Sequence, residues 1–401
     1  MDDMGQNIPS PGETKIVYFG GDATNPTLIL RINSFLSAGL NVTAFTFRRN
    51  KFNTAFKPNW RNIHLGETTD RRYGLRLAPL LKALLTIMKN RAEVQTADVI
   101  YARMFDAAML GLFAKWFSRS KARLVYEVED VQAIFFKRTL AGGLFRWLER
   151  RLLKRTQLLV CMSPGFVRGY FEPVQHYHGP TFILENKLQL EPGAPSPGAA
   201  SQRWKSIRNK WRIGWFGTLR CEQSMRLLAT IADRLGDKVE IYTRGYPTET
   251  GLERYMEFVR QRPNWTYEGE YTIPRDLEEM YGSVHFSWCF DFLDSGGNSE
   301  LLLACRMYQG GYYGAVPLVA QGAEMARFLA PHKIGHAFAA PYAEGVCEFL
   351  SNLSWEDYEQ ERERVRGLGP ELFLDTGRDV QRLFHDISIA PLGRGGLRVH
   401  R

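Results

Sequence analysis

The sequence, 401 residues long, contains no run of about 18 apolar residues, so no membrane-spanning helix is expected. It opens on Met1-Asp2-Asp3-Met4, acidic and without an apolar core behind it, which argues against a secretory signal. The five cysteines (Cys161, Cys221, Cys289, Cys305, Cys347) are odd in number and scattered. They form neither a disulfide framework nor a CxxC metal pattern, and read as buried free thiols of a reducing compartment. No GxGxxG follows a strand in the first half, which argues against a dinucleotide oxidoreductase. A P-loop, a GxSxG elbow and an HExxH pair are missing as well.

Acidic residues are scarce in the first half. Residues 1–200 carry 27 Lys/Arg against 16 Asp/Glu, the remainder 25 against 27, and 48–91 alone 11 against 2. The two halves are therefore expected to face different partners. Segments 71–85 and 145–155 mix cations with large apolar side chains, as in Arg76, Leu80, Leu81 and Lys82, or Arg146, Trp147, Arg150 and Arg151. Such faces suit an anionic membrane surface, at about 1 kcal/mol per cation near the lipid. The alternative is a pair of ordinary amphipathic helices packed on a sheet. No nucleic-acid-binding motif accompanies the charge, so no nucleic-acid partner is expected.

What is present is a repeated α/β pattern. Ile16-Val17-Tyr18-Phe19 ends at Gly20-Gly21, a helical pattern follows from Pro26 to Gly39, and 41–47 reads as the next strand. Further strands are expected at 98–101, 124–128, 158–162 and 181–184. A second series begins with a strand at 212–217, then helix 223–235, strands at 239–243, 265–269, 285–290 and 317–320, and helices at 274–282, 355–366 and 376–386. The expected layout is a Rossmann-like domain over 1–190, a Pro/Gly/Ser-rich linker over 191–208 and a second Rossmann-like domain over 209–370. A closing helix over 371–386 and a flexible tail over 387–401 complete it. Two such halves would put a cleft between the carboxyl ends of two parallel sheets, where open α/β sheets bind ligands.

Several strings at those strand ends carry chemistry. Ser295-Gly296-Gly297-Asn298-Ser299 follows a buried strand and opens a helix. Gly296 and Gly297 let backbone N–H groups approach an anion, and Asn298 or Ser299 can cap the helix. Gly217-Thr218-Leu219-Arg220 and Arg244-Gly245 end two neighbouring strands, with Gly269 beyond the next. In the first half, Tyr126-Glu127-Val128-Glu129-Asp130 ends a strand with three carboxylates, Glu127 and Glu129 on one side. Gly20, Gly21 and Asp22 sit at the end of the first strand.

The run from Arg306 through Gln309 and Gly310-Gly311-Tyr312-Tyr313-Gly314 to Pro317 resembles the donor-binding helix of GT-B glycosyltransferases. Family-4 enzymes carry two glutamates eight residues apart there; this chain has Leu301 and Gln309 at those places, with Glu300 one position out of register. Bacterial exopolysaccharide glycosyltransferases of the xanthan glucuronosyltransferase type are more similar. They show a cation, a glutamine three residues on, then aromatic-aromatic-Gly. Physically, a carboxamide can donate to and accept from ribose hydroxyls, and a guanidinium suits diphosphate oxygens.

The resemblance implies a GT-B fold and transfer of a sugar, hexosyl or glucuronosyl, from a nucleotide donor, UDP-linked by expectation, to a lipid-linked saccharide. It implies roles for Arg220, Arg244 and Arg306 at the diphosphate, Gln309 at the ribose, and Gly217, Gly269 and the 295–299 loop around the donor. Asp130 falls where the xanthan-type enzyme has its base, after Tyr-x-x-x, with Glu129 as fallback; Gly20, Gly21 and Asp22 would edge the acceptor side. No cofactor or metal is expected, since Asp291-Phe292-Leu293-Asp294 is not a DxD pair and this class manages leaving-group charge with cations and helix dipoles. The expected location is the cytoplasmic face of the plasma membrane. A sugar-nucleotide epimerase of the same fold, or a non-catalytic nucleotide-sugar binder, remains the alternative, and inversion or retention stays open.

Overall fold

The computed structural model describes residues 14–49, 55–67, 77–190, 197–207 and 209–389. The basic stretch 71–76, part of the expected linker (191–196) and nearly all of the expected tail (390–401) lie outside the described residues. The chain divides into one unit formed by Met1–Glu185 and Gly377–Arg401 and a second formed by Asn186–Thr376.

The first unit runs β1 (Lys15–Asp22), α1 (Pro26–Ser37), β2 (Asn41–Arg48), β3 (Arg61–Glu67), α2 (Leu77–Lys89), α3 (Arg91–Gln95) and β4 (Val99–Arg103). It continues with α4 (Phe105–Phe117), β5 (Arg123–Val128), α5 (Ala133–Phe136), α6 (Leu140–Leu153), β6 (Leu158–Cys161), α7 (Pro164–Phe166) and β7 (Thr181–Ile183). Among the described residues its seven strands are all parallel, in the order β3-β2-β1-β4-β5-β6-β7. Helices cover both faces of such a sheet, which is why β1 and β4 to β6 read as unbroken apolar runs rather than alternating ones. α1 starts where Asn25 caps it by accepting from the Thr27 N–H at 2.9 Å, with Pro26 just inside. Leu28, Ile32 and Phe35 then bury one stripe against Tyr18 and Tyr101.

The second unit runs β8 (Trp211–Thr218), α8 (Glu222–Leu235), β9 (Val239–Tyr246), α9 (Leu252–Arg260), β10 (Trp265–Tyr267), α10 (Leu277–Gly282), β11 (Phe286–Trp288) and α11 (Asn298–Leu301). α12 (Cys305–Tyr312), β12 (Val316–Ala320), α13 (Glu324–Leu329), β13 (His336–Phe338), α14 (Tyr342–Asn352) and α15 (Trp355–Gly367) follow. Among the described residues its six strands are also all parallel, in the order β10-β9-β8-β11-β12-β13. The order reverses between β8 and β11 here, as it does between β1 and β4 in the first unit, so each sheet has a crevice outside those carboxyl ends.

Two stretches flanking the second unit's sheet in sequence are anchored by large apolar side chains. Residues 199–206, inside the expected linker, form 3-10 turns and place Trp204 in the second unit's core, with the Arg362 guanidinium 4.5 Å over its ring. A bulky aromatic overrides the surrounding small-residue composition. The last helix, α16 (Arg378–Ile389), adds Val380, Leu383 and Ile387 to the first unit's core, so the chain closes on the unit where it began.

Candidate functional site

In the second unit the carboxyl ends of three strands meet edge to edge at glycines. Gly217 and Gly245 are in register on β8 and β9, and the Gly245 N–H donates to the Gly269 carbonyl at 2.8 Å. All three have positive φ, at 117°, 136° and 72°. A Cβ at Gly245 would stand 1.8 Å from the Gly217 carbonyl oxygen, so glycine is required for the two strand ends to approach. Arg220 lies just past this edge, exposed. Arg244 is held back from it, donating to the Glu270 carbonyl at 2.8 Å and lying 3.9 Å from Asp276.

Arg306, at the start of α12, is the centre of the site. Its Nη2 donates to the Phe290 carbonyl at 2.8 Å and pairs with Asp291 at 3.3 Å. Burial alone would raise the Asp291 carboxyl; the Arg306 guanidinium, the Ser299 hydroxyl and the more distant Arg220 outweigh it and hold it below the usual range. Tyr271 shares the neighbourhood. Burial, with Cys305 adding to it, pushes its phenol up to about 12 against the opposing pull of Arg306 and Arg244. Thus Arg306 bears on both Asp291 and Tyr271, while Arg220, 86 residues earlier, adds the smallest pull on Asp291. Tyr271 lies two residues past Gly269, and no spacing or composition in the sequence marks it apart from that glycine.

Glycines also decide how α12 sits. A Cβ on Gly310 would press on Ser287 at 3.0 Å and one on Gly311 would strike the Phe373 ring at 2.4 Å. Gly314, at φ 80°, ends the helix, its N–H donating to the Gly311 carbonyl. This close seat buries Gln309, whose Oε1 accepts from the Tyr281 hydroxyl at 3.1 Å.

The 295–299 loop is tied differently from its sequence reading. Gly297, without a side-chain cap, precedes α11, rather than Asn298 or Ser299. The Gly296 N–H donates to Glu300 at 3.0 Å, and the Asn298 N–H to the Asp294 carboxylate at 3.3 Å. Gly297 and Ser299 donate to the Asp294 carbonyl, and the Ser299 hydroxyl donates to Asp291 at 2.6 Å. Acidic neighbours therefore take the N–H groups that the glycines leave accessible. The cation facing this loop from α12 is Arg306, bound to it through Asp291.

In the first unit, the three carboxylates after Tyr126 have separate environments. Glu127 is fully buried and accepts from Arg31 Nε at 2.9 Å. Glu129 pairs with Arg103 at 2.7 Å and accepts from the Thr27 hydroxyl at 2.9 Å. Asp130 is exposed at the head of the loop. It also lines a small cavity of about 10 Å³, about one water in size, with Met104, Tyr126 and Glu149. Glu149 is buried, raised by that burial, and accepts from Tyr126, Tyr170 and Gln175. Asp22 accepts from the Thr24 N–H and hydroxyl and from the Arg49 N–H, so it fixes the turn between β1 and α1. Gly20 packs against Leu28 and Tyr18, whereas Gly21 is exposed with open space around it.

Among the described residues no helix is long and apolar enough to cross a membrane, and no group of three His, Cys, Asp or Glu is placed to hold a metal ion. No family model matches the sequence. The chain is 31% identical over 379 residues to the succinoglycan biosynthesis protein ExoL of Rhizobium meliloti (strain 1021), covering 94% of each. Among solved structures it is similar to sucrose-phosphate synthase from Thermosynechococcus elongatus (TM-score 0.69, 14% identity, 94% of this chain and 100% of that one). It is also similar to Anabaena Alr3699/HepE in complex with UDP and glucose (TM-score 0.66, 13% identity, 94% and 100%).

Proposed function

Because the chain belongs to the GT-B glycosyltransferases, in the family of the succinoglycan biosynthesis protein ExoL, we propose that it moves a sugar from a UDP-linked donor to a lipid-linked saccharide during exopolysaccharide synthesis. The observation that carries the donor side is the charge arrangement at the second sheet's switch point. Arg306 and Arg220 both act on Asp291 beside a glycine-lined strand edge. A diphosphate there exchanges with Asp291 for the guanidinium of Arg306, and Arg220 supplies a second cation as negative charge develops on the leaving UDP. Gln309 contacts the ribose. The complex of Alr3699/HepE with UDP and glucose supports this choice of donor class.

On the first unit, Asp130 is the base. It takes the proton of the acceptor hydroxyl as that oxygen bonds to the anomeric carbon and the bond to the diphosphate breaks. Glu129 is less suited, since both its oxygens are engaged by Arg103 and Thr27. Leaving-group charge is handled by arginine, with no metal required, and activity in excess EDTA tests that point. The decisive experiment is UDP release from a panel of UDP-sugars, with Asp130→Asn and Arg306→Ala alongside. Loss of turnover with UDP binding kept in the first, and loss of UDP binding in the second, is the expected pattern. If millimolar UDP does not raise the melting temperature of the wild type, the donor assignment fails.

The enzyme works at the cytoplasmic face of the membrane, docked through the first unit. Three of its helices leave apolar stripes exposed: Leu81, Leu85 and Met88 on α2, Trp116 on α4, and Leu140, Leu144 and Trp147 on α6. α4 packs beside both α2 and α6. Lys82, Lys89 and Arg151 are exposed on the same helices, Arg151 stacking 4.9 Å over the Trp147 ring. Apolar patches rimmed by cations suit anionic lipid.

A further inference from the structure

The carboxylates of β5 are matched to α1 by spacing. Thr27 and Arg31 are four apart on the helix and contact Glu129 and Glu127, two apart on the chain leaving the strand. Four helical residues rise about 6 Å, and two extended residues advance about 6.6 Å. The two elements can therefore bind each other at both points without strain. Arg103, from the end of β4, completes the set by pairing with Glu129 rather than with Glu127, its in-register neighbour. Arg31 and Arg103 are each only 3% exposed, so each charge needs a partner, and each has a carboxylate. Glu129 lies 23% exposed at the rim, one residue before Asp130.

We propose that Glu129 is a positioning residue, clamped by Arg103 and Thr27 so that the next residue, Asp130, is presented in a fixed orientation for transfer. This rests on the reading of Asp130 as base. The contacts act on different oxygens: the Thr27 hydroxyl, which has Asn25 Oδ1 as a second acceptor at 2.7 Å, lies 2.9 Å from Oε1, and Arg103 forms its ion pair with Oε2 at 2.7 Å. A contact on each oxygen restricts rotation of the carboxylate and so of the side chain that ties the start of the loop to α1 and β4. The opposite face of β5 is tied down independently, where Tyr126 donates to the buried Glu149 at 2.8 Å. The loop bearing Asp130 thus starts from a strand end held on both faces.

The test follows UDP release from the UDP-sugar that the wild type turns over fastest, together with UDP protection against melting, in four variants of the full chain. Glu129→Gln keeps the shape and an acceptor for Thr27 but loses the charge that holds Arg103; Glu129→Asp keeps the charge but pulls it back by one methylene. Each is expected to lower kcat about tenfold to thirtyfold, with donor KM within twofold of wild type and UDP protection intact. Arg103→Lys, retaining a cation, is expected to lose less, about threefold. Asp130→Asn is expected to lose at least a hundredfold. A drop in melting temperature with unchanged kcat in the Glu129 variants would mean a purely structural pair and overturn the proposal. So would a loss in Glu129→Gln equal to that in Asp130→Asn with Arg103→Lys fully active, which would make Glu129 the base. Full turnover in Asp130→Asn overturns the base assignment and the clamp with it, in a variant that leaves the clamp untouched.

Discussion

The Thr27 hydroxyl donates to Glu129 across 102 residues of sequence at 2.9 Å, while one helical turn further on Arg31 takes Glu127 at 2.9 Å. These two contacts look alike but differ in what their loss costs. Thr27→Val removes a partly exposed hydroxyl whose single proton is shared between Glu129 and Asn25 Oδ1 at 2.7 Å, which is expected to cost about 1 kcal/mol of stability. Arg31→Met leaves Glu127 as a buried carboxylate without its cation, a change of the kind that costs about 3–5 kcal/mol. Urea denaturation of the two variants checks the difference; similar values would mean that the buried pair is not the stronger tie.

The glycines divide in the same way. Gly245→Ala places its Cβ on the Gly217 carbonyl at a φ of 136°, so β8 and β9 must part at their carboxyl ends. It is expected to abolish UDP protection and to lower the melting temperature by several degrees. Gly269→Ala meets open space but keeps a φ of 72°, and its cost should be the left-handed penalty alone, about 1–2 kcal/mol. Gly21→Ala meets nothing within 4 Å and carries no positive φ, so stability should stay within about 0.5 kcal/mol of wild type. Thermal melts with and without UDP separate the three.

Much of this fold was legible because parallel strands buried on both faces write themselves as short apolar runs. The strands at β1, β2, β4 to β6, β8, β9 and β12 all stand out for that reason. β3 and β13 did not. Both are edge strands: β3 reads Arg61-Asn62-Ile63-His64-Leu65-Gly66-Glu67 with four polar residues, and β13 is only three residues long. At the site, Arg306 and Gln309 drew notice through the resemblance of their helix to a donor-binding string, since an arginine and a glutamine three residues apart mark nothing by themselves. The Thr27–Glu129–Arg103 set drew none, because it joins α1, β4 and the end of β5, and no local pattern marks a contact made across three elements. Likewise the 295–299 loop advertised free N–H groups through its glycines. Whether Asp294 and Glu300 would occupy them depends on the turn geometry, which composition does not encode.

His285 sets an acid limit on the second unit. It is fully buried, its Nδ1 accepts from the Arg212 N–H at 2.8 Å, and burial, reinforced by Arg362 and Arg212, lowers its pKa from 6.5 to about 3. The unfolded chain therefore binds a proton between those values that the folded chain refuses. This contribution to stability is whole above pH 6.5 and is lost as pH falls towards about 3. His285→Asn keeps an acceptor for Arg212 and cannot titrate. Its melting temperature should fall less steeply than that of the wild type between pH 6.5 and 4, and parallel curves would show that another group governs acid unfolding.

The exposed face of the first unit makes a prediction about salt. If cations alone held the protein to lipid, raising NaCl from 0.1 to 1 M would shorten the screening length from about 10 to about 3 Å and release it. The stripes on α2, α4 and α6 add a component that salt does not weaken, since burying one large apolar side chain is worth about 1.5–3 kcal/mol. Co-sedimentation with vesicles containing anionic lipid should therefore fall with salt to a plateau above zero. Leu85 and Trp147 are 58% and 47% exposed, so Leu85→Glu and Trp147→Glu should leave the melting temperature nearly unchanged. In the double variant the high-salt plateau should drop, because two of the exposed apolar side chains are lost while Leu81, Trp116, Leu140 and Leu144 remain. A plateau unchanged in the double variant would assign the docking to another surface, and complete release of the wild type at 1 M salt would reduce it to electrostatics alone.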